Sequence, residues 1–158
     1  MSILSLFTQT KEQYKAATLP CDLSVGAGAG SGKTDTLAAR YLYLTEREMG
    51  QGRSTRLTAI TFTDRAAREM RNRIRSYVQK WAGSADCPAA DQGKWQDIAA
   101  DMDAARIGTI HSLCASILRA HPAEAGIDPR FDVLEEGRAA ALQAQALDDT
   151  LAWVVNRP

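Results

Sequence analysis

The residues with the clearest capacity for chemistry lie in a glycine-rich run that ends in a lysine and a threonine. The run consists of Ala27, Gly28, Ala29, Gly30, Ser31, Gly32, Lys33 and Thr34. Glycines let the backbone take positive φ and approach an anion, so that successive N–H groups point at phosphate oxygens. Lys33 supplies a cation for the β- and γ-phosphates of a nucleoside triphosphate, and the Thr34 hydroxyl suits a Mg²⁺ ligand position. The run therefore predicts a phosphate-binding loop, although the general form of that loop has glycine where this chain has Ala27.

Flanking patterns place this loop between a strand and a helix, as phosphate binding requires. Residues 22–25 form a short segment, followed by glycine, that reads as a buried strand, and a helix is expected from Lys33 to about Leu44. Residues 57–62 and 106–110 are rich in β-branched side chains and predict two more strands, each followed by a helix. Three alternations of strand and helix predict an α/β fold with a parallel sheet flanked by helices.

The helix expected after a cap at Thr63 or Asp64 has the clearest apolar face in the chain. That face is formed by Ala66, Met70, Ile74, Tyr77 and Trp81. Residues three and four apart lie on one side of a helix, so we expect this face to be buried. The same argument predicts that Ile117 and Leu118 turn inward in a helix over residues 112–120, and Trp95 and Trp153 read as packing residues. Polar interruptions at 46–56 and 83–94 separate the blocks.

Length and charge exclude several classes of protein. The chain has 158 residues and a formal net charge of zero, so a nucleic-acid site would have to be a local patch rather than a general positive field. The three cysteines lack the C-x-x-C spacing of a zinc site, and their odd number does not suggest a disulfide framework, which favours a cytoplasmic location. Residues 1–7 are too short an apolar run for a signal peptide, and no run approaches the roughly 20 residues of a membrane helix.

Three motifs together resemble those of the UvrD/Rep group of superfamily 1 DNA helicases, nearest its RecB/AddA helicase-nuclease branch. The first is the phosphate loop, which commonly opens with alanine in that group. The second, TFTDRAAREMR over residues 61–71, is similar to the group's single-stranded DNA motif, and the third, GTIHSLC over residues 108–114, resembles its next DNA-contacting motif. Residues 125–134 look closest to the RecB/AddA branch, and Gln13 lies where the family carries its adenine-reading glutamine.

This resemblance, which extends from about Leu6 to Leu151, implies an incomplete RecA-like P-loop NTPase lobe, called 1A, over residues 1–134. Residues 135–158 would form a helix leading into a 1B-type insertion. The implied cofactors are ATP and Mg²⁺: Gln13 would bind adenine, residues 27–34 the phosphates, and Lys33 and Thr34 would take the catalytic positions, with Thr34 on Mg²⁺. The DNA-binding residues that it implies are Phe62, Thr63, Arg65, Thr109 and His111.

The function implied is that of an ATP-dependent DNA helicase that moves 3′ to 5′ along single-stranded DNA, and a candidate partner is another component of a helicase-nuclease. The family's Mg²⁺-binding aspartate, its water-activating glutamate and the arginines of its second lobe have no counterparts in these 158 residues. We therefore expect this chain alone to bind nucleotide better than it hydrolyses it. The alternative is a non-hydrolysing nucleotide- or DNA-binding module that a partner completes. A P-loop kinase or GTPase would need a guanine-reading or acceptor-binding motif, and none is found.

Some of these residues also have purely structural interpretations. Residues 64–80 contain six basic and two acidic side chains, a pattern that a solvated helix face explains equally well. Phe62, at the end of a predicted strand, suits a core position as well as a stacking platform for a base. His111 suits a helix start. Asp64 stands where relatives often have asparagine, and its carboxylate disfavours a phosphate contact.

Overall fold

The computed structural model describes residues 2–52 and 57–156. The chain divides into two compact units, Met1–Leu113 and Cys114–Pro158. Within the described ranges the chain is mostly helical, with one sheet of two parallel strands, which agrees with the predicted α/β class. None of the described helices is long and apolar enough to cross a membrane.

The first unit contains both strands and most of the helices. In chain order its elements are a 3₁₀ turn at Ile3–Leu6, α1 at Lys11–Thr18, α2 at Lys33–Gly50, β1 at Thr58–Thr61, α3 at Asp64–Ala82, α4 at Ala89–Ala100, a 3₁₀ turn at Asp101–Asp103, β2 at Arg106–Thr109 and the beginning of α5, Ile110–Ala120. The two strands pair in parallel, with Ala59 opposite Ile107 and Thr61 opposite Thr109. Parallel neighbours need a long crossover connection, which α3 and α4 provide here.

The main core of this unit lies between α2, α3, α4 and the sheet. Its largest fully buried side chains include Trp81, Trp95, Leu42, Met70 and Ile74. The two tryptophans confirm the predicted packing roles on α3 and α4. Burial of an aromatic side chain contributes roughly 1.5–3 kcal/mol relative to leaving it exposed, so both rings stabilise the unit.

The buried face of α3 agrees with the sequence pattern at most positions. Met70, Ile74 and Trp81 are buried as predicted, and Tyr77 is half-buried. Ala66 is exposed, and its neighbour Ala67 is buried instead. At about 100° per residue, Ala67 lies about 20° around the helix from Ile74 and Ala66 about 80° from it, so Ala67 shares the buried face.

The strand predicted at residues 22–25 is wrong. These residues form neither strand nor helix, and the Leu23 and Val25 side chains are exposed. An apolar strand persists when neighbouring strands supply backbone hydrogen bonds and both of its faces are covered. Residues 58–61 and 106–109 pair with each other in the described sheet, and residues 22–25 are not part of that pairing.

Two helices extend into segments that the sequence pattern assigned to polar interruptions. Helix α2 continues past Leu44 to Gly50, and α4 begins at Ala89, within the segment 83–94. Helix α4 is anchored by the buried Trp95 and Ala99. The part of the first interruption at residues 53–56 lies outside the described residues.

The second unit contains the end of α5, the short helix α6 at Pro122–Ala125, and α7 at Glu136–Val155, which lies within the segment 135–158 where a helix was expected. Residues 131–135 are irregular and lead into α7. The Arg119 guanidinium lies 4.8 Å from the centroid of the Phe131 ring and donates to the Phe131 carbonyl at 3.3 Å. This cation–π contact ties the segment before α7 to α5.

Three side chains of the second unit that were expected to pack inward are exposed instead. Ile117, Leu118 and Trp153 all have large exposed surfaces, and α7 has no buried residue. Their inward orientation was therefore predicted wrongly. Helical spacing shows which residues share a face, but that face is buried only where another element packs against it. A small unit buries a smaller fraction of its surface than a large one, so it forms less of a core.

Candidate functional site

The glycine-rich loop has the backbone geometry that an anion site needs. Gly30 and Gly32 have φ of 72° and 73°, in the left-handed region that favours glycine. Gly32 is the N-cap of α2, so the free N–H groups of the first helical turn follow it directly. A Cβ atom at Gly32 would also lie only 3.0 Å from Gln13 Nε2. The positive φ therefore favours glycine at position 32, and a larger residue there would also displace the Gln13 amide.

Lys33 reaches back over this loop. Its Nζ donates hydrogen bonds to the Gly28 carbonyl at 2.6 Å and to the Ala27 carbonyl at 3.2 Å. The Ser31 hydroxyl also donates to the Gly28 carbonyl, at 2.8 Å, which closes the loop. An ammonium group has three N–H donors. Two of them bind the loop carbonyls, so the third is available to a phosphate oxygen while both carbonyl contacts are kept.

Gln13 links α1 to the same loop. Its Nε2 donates to the Ser31 carbonyl at 3.0 Å, and its Oε1 accepts from the Thr10 N–H at 2.8 Å. The second contact belongs to a capping box in which the Thr10 hydroxyl accepts from the Gln13 N–H. A side-chain amide has two N–H donors and two lone pairs, so one donor and one acceptor remain for a ligand.

An open cavity of about 950 Å³ lies between α1, the loop and α2. This volume is near the upper end of the range for small-molecule sites. Of the residues predicted for nucleotide binding, those lining the cavity are Gln13, Ala27, Gly28, Gly30, Ser31, Gly32 and Lys33. Ala29 and Thr34 are exposed and lie outside this lining. Phe7 also lines the cavity, and the centroid of its ring lies 4.1 Å from the centroid of the Tyr77 ring of α3.

Arg40 is a residue of this site that the sequence pattern did not indicate. It lines the cavity from α2, and its Nη1 donates to the carbonyls of Ala16 and Leu19 at 3.0 and 3.1 Å. Its Nη2 donates to the Cys21 carbonyl at 3.1 Å. Arg40 thus fastens the end of α1 to α2. Carbonyl oxygens are present in any sequence, so nothing in the pattern pointed to these partners.

A second charged group at the cavity connects α2 with α3. The Arg73 guanidinium donates to Asp35 Oδ1 at 2.7 Å and to Glu69 Oε1 at 3.0 Å, and Asp35 lines the cavity. The hydrogen bond to Asp35 raises the pKa of Arg73 above its ordinary value, so this guanidinium remains charged. Burial, with a contribution from the Asp35 charge, raises the pKa of Tyr77. Asp35, Glu69, Arg73 and Tyr77 therefore form one electrostatic cluster beside the cavity.

The residues predicted to contact DNA lie at one edge of the sheet. Thr61 of β1 is opposite Thr109 of β2, so Phe62 and His111 follow the carboxyl ends of neighbouring strands. The Phe62 side chain is fully exposed, and His111 is exposed as well. In α/β sheets the carboxyl ends of the strands are the usual edge for ligands. Exposure excludes the core interpretation of Phe62.

Two threonines at this edge have structural contacts of their own. Thr63 caps α3 through its hydroxyl. Thr109 is buried, its hydroxyl accepts from the Ser112 N–H at 3.3 Å, and its carbonyl accepts from the Ser112 hydroxyl at 2.8 Å. These bonds hold the turn from β2 into α5 and thereby fix where His111 emerges.

The five arginines of α3 fall into two groups. Arg71, Arg73 and Arg75 bind groups of the protein itself: Arg71 Nη2 donates to the Ile107 carbonyl at 2.6 Å, and Arg75 pairs with Asp103 at 2.7 Å. Arg65 and Arg68 are exposed near the start of the helix, within two turns of Phe62. The positive charge available at the sheet edge is therefore smaller than the sequence count indicates.

The donors at the cavity suit a nucleotide with Mg²⁺. Successive loop N–H groups, the Lys33 ammonium and the start of α2 all favour a polyphosphate. In residues 2–52 and 57–156, no three His, Cys, Asp or Glu side chains cluster closely enough to hold a metal ion by themselves. Mg²⁺ keeps several waters and commonly binds one or two protein groups plus phosphate oxygens, so the exposed Thr34 hydroxyl fits that requirement.

Comparison with known families identifies the class to which this site belongs. The family model of the UvrD/REP helicase N-terminal domain matches residues 9–156. The match includes the loop, the sheet edge and α7. The chain therefore belongs to the UvrD/REP helicase N-terminal domain family.

Its similar relatives are bacterial proteins whose names describe them as subunits of an ATP-dependent helicase/nuclease. The protein from Pelotomaculum thermopropionicum is 38% identical over 141 residues, which covers 89% of this chain and 11% of the relative. The relative from Bacillus mycoides is 35% identical over 143 residues, covering 90% of this chain and 11% of its own length. The relative from Ruminiclostridium cellulolyticum is 37% identical over 145 residues, covering 89% and 11%. The chain thus spans about a ninth of the length of these relatives.

Proposed function

We propose that this chain is the ATP-binding part of an ATP-dependent DNA helicase. Residues 1–134 would form an incomplete RecA-like lobe 1A, and residues 135–158 would lead into a 1B-type insertion. The observation that carries the proposal is the joint lining of one cavity by Gln13, the glycine loop and Lys33. The family assignment and the names of the relatives support it.

ATP would bind with its phosphates on the loop and its base toward α1. Lys33 would neutralise charge on the β- and γ-phosphates, and the amides that follow Gly32 would bind their oxygens. Thr34 would contribute its hydroxyl to Mg²⁺, which supplies charge neutralisation when it is bound. Gln13 would offer its remaining N–H and lone pair to adenine, a pairing that favours adenine over guanine.

Single-stranded DNA would bind along the sheet edge. Phe62 would stack on a base, and stacking is tolerant of sequence because every base has a π-face. Thr63 and His111 would contact backbone phosphates, and the exposed Arg65 would add positive charge. The buried Thr109 would act by holding the turn that carries His111. A motor that tracks any sequence needs this combination of stacking and phosphate contacts, and translocation is proposed to run 3′ to 5′.

The complete protein would hydrolyse ATP between this lobe and a second one. The groups that hold Mg²⁺, activate water and stabilise the transition state would come from outside this chain, and each of them is worth orders of magnitude in rate. The relatives are named as subunits, so we also propose that the complete protein pairs with a second component of a helicase-nuclease assembly.

The nucleotide part of the proposal is tested by calorimetric titration of the chain with a non-hydrolysable MgATP analogue. We expect saturable binding that Lys33→Ala reduces at least tenfold, because a charged hydrogen bond to phosphate contributes about 1.5–3 kcal/mol. Lys94→Ala is the matched control: Lys94 is an exposed lysine paired with Asp91, and it does not line the cavity. Equal affinities of the parent and Lys33→Ala would contradict the nucleotide site.

The DNA part is tested by fluorescence anisotropy with labelled oligothymidylate. Phe62→Ala should weaken binding by about five- to a hundredfold, since base stacking contributes about 1–3 kcal/mol. Tyr14→Ala removes an exposed aromatic ring from α1 and should leave affinity unchanged. Nucleotide affinity should be the same in all three proteins. Unaltered DNA binding by Phe62→Ala would remove the stacking role.

A further inference from the structure

An acidic side chain faces the cavity assigned to an anion. Asp35 is the third residue of α2, two positions after Lys33, and its side chain is half exposed. It lines the same cavity as Lys33 and the loop glycines. A carboxylate repels a polyphosphate, so its charge must be balanced if the cavity is to bind one well.

The balancing charge comes from α3. Arg73 contacts Asp35 at 2.7 Å, and it is 38 positions away in the sequence. Arg73 does not itself line the cavity, and its side chain is about one-third exposed. It also binds Glu69 of its own helix at 3.0 Å, so one guanidinium lies between two carboxylates. Arg73 is therefore placed to cancel the charge of Asp35 without touching a ligand.

We infer that Arg73 is a charge-compensating residue of the nucleotide site, which sets the affinity for nucleoside polyphosphates through Asp35. This inference rests on the proposed nucleotide binding at the loop. The arrangement makes affinity depend on the net charge of Asp35, Arg73 and Glu69 together: one negative charge in the parent, two without Arg73, and none without Asp35. The effect should grow with the charge of the ligand, so it should be larger for MgATP than for MgADP.

Four versions of the chain form the experiment: the parent, Asp35→Asn, Arg73→Gln and the double variant. Each is titrated by calorimetry with a non-hydrolysable MgATP analogue and with MgADP, at low and at high salt. One uncompensated charge beside a multiply charged ligand corresponds to roughly a three- to tenfold change in affinity in a solvent-lined groove. We expect Arg73→Gln to bind most weakly, Asp35→Asn most tightly, and the double variant like the parent. High salt should reduce these differences to about twofold or less.

Arg75→Gln is the matched control. It removes the same charge from the same helix and breaks an ion pair of the same length, between Arg75 and Asp103. Neither Arg75 nor Asp103 lines the cavity. Its affinity for the MgATP analogue should equal that of the parent. A loss as large as that of Arg73→Gln would show an effect of overall charge and would overturn the assignment.

The double variant separates compensation from other roles of Arg73. If Arg73 contacted the nucleotide directly, or only supported the fold, removing Asp35 as well would not restore binding. If the parent binds nucleotide and the double variant binds it as weakly as Arg73→Gln does, this inference is overturned and the proposed function remains intact. A parent that binds no nucleotide contradicts the proposed function and this inference together.

Discussion

Gly108→Ala tests the turn that presents the sheet edge assigned to DNA. Gly108 is the third residue of β2, directly before Thr109. A Cβ atom built on it would lie well inside van der Waals contact of Ser112 Oγ, and 3.6 Å from Ser112 Cβ. The Ser112 hydroxyl would have to rotate away and give up its 2.8 Å hydrogen bond to the Thr109 carbonyl.

The expected cost follows from these contacts. Loss of the hydrogen bond removes about 0.5–1.5 kcal/mol. Displacement of the serine from its rotamer adds about 0.5–1.5 kcal/mol. The reduced entropy of the unfolded chain on replacing glycine by alanine offsets about 0.4–1 kcal/mol. We expect Gly108→Ala to lower the free energy of unfolding by about 1–2 kcal/mol.

The measurement is urea denaturation in two backgrounds. With Ser112→Ala already present, the new Cβ meets only an ordinary contact, so Gly108→Ala should then cost less than about 0.5 kcal/mol. Gly93→Ala is the matched control, because Gly93 lies within α4 with open space around it and should gain about 0.5–1 kcal/mol. An equal loss from Gly108→Ala in both backgrounds would refute the proposed clash.

Three further predictions concern the packing and the helix cap. Trp95→Ala should lower the free energy of unfolding in urea by about 3–5 kcal/mol, because this side chain is fully buried; a loss below about 1 kcal/mol would contradict its core position. Thr63→Ala should cost about 1 kcal/mol through loss of the α3 cap, and Thr63→Ser should cost little; equal losses would argue against capping. Burial raises the pKa of the Cys87 thiol, so iodoacetamide at pH 8 should modify the exposed Cys21 and Cys114 first. Mass spectrometry of the peptides measures the order of modification, and early modification of Cys87 would contradict its burial.

The features that the sequence predicted well are those determined by local interactions. The loop conformation follows from glycines at positions 30 and 32, and α2 begins at Lys33 as expected. The cap at Thr63 and the buried face through Met70 and Ile74 depend only on helical geometry. The residues that determine each of these features lie within a few positions of one another, so the sequence pattern was sufficient to predict them.

The features that the sequence missed depend on distant neighbours. Residues 22–25 include Leu23 and Val25, but whether such a segment becomes a strand is decided by the strands beside it. The inward orientation predicted for Ile117 depended on an element to cover it, and this residue is exposed. Arg40 binds carbonyl groups, and the pair of Asp35 with Arg73 joins separate helices, so neither contact has a local signature.

The most direct test of the nucleotide site is a backbone amide NMR titration with a non-hydrolysable MgATP analogue. We predict saturable shifts centred on the amides of residues 28–34 and on the Gln13 side-chain amide, all lost in Lys33→Ala. Shifts that leave these amides unmoved and cluster elsewhere, for example at the 470 Å³ cavity lined by Tyr41, Asp97 and Arg106, would contradict the account.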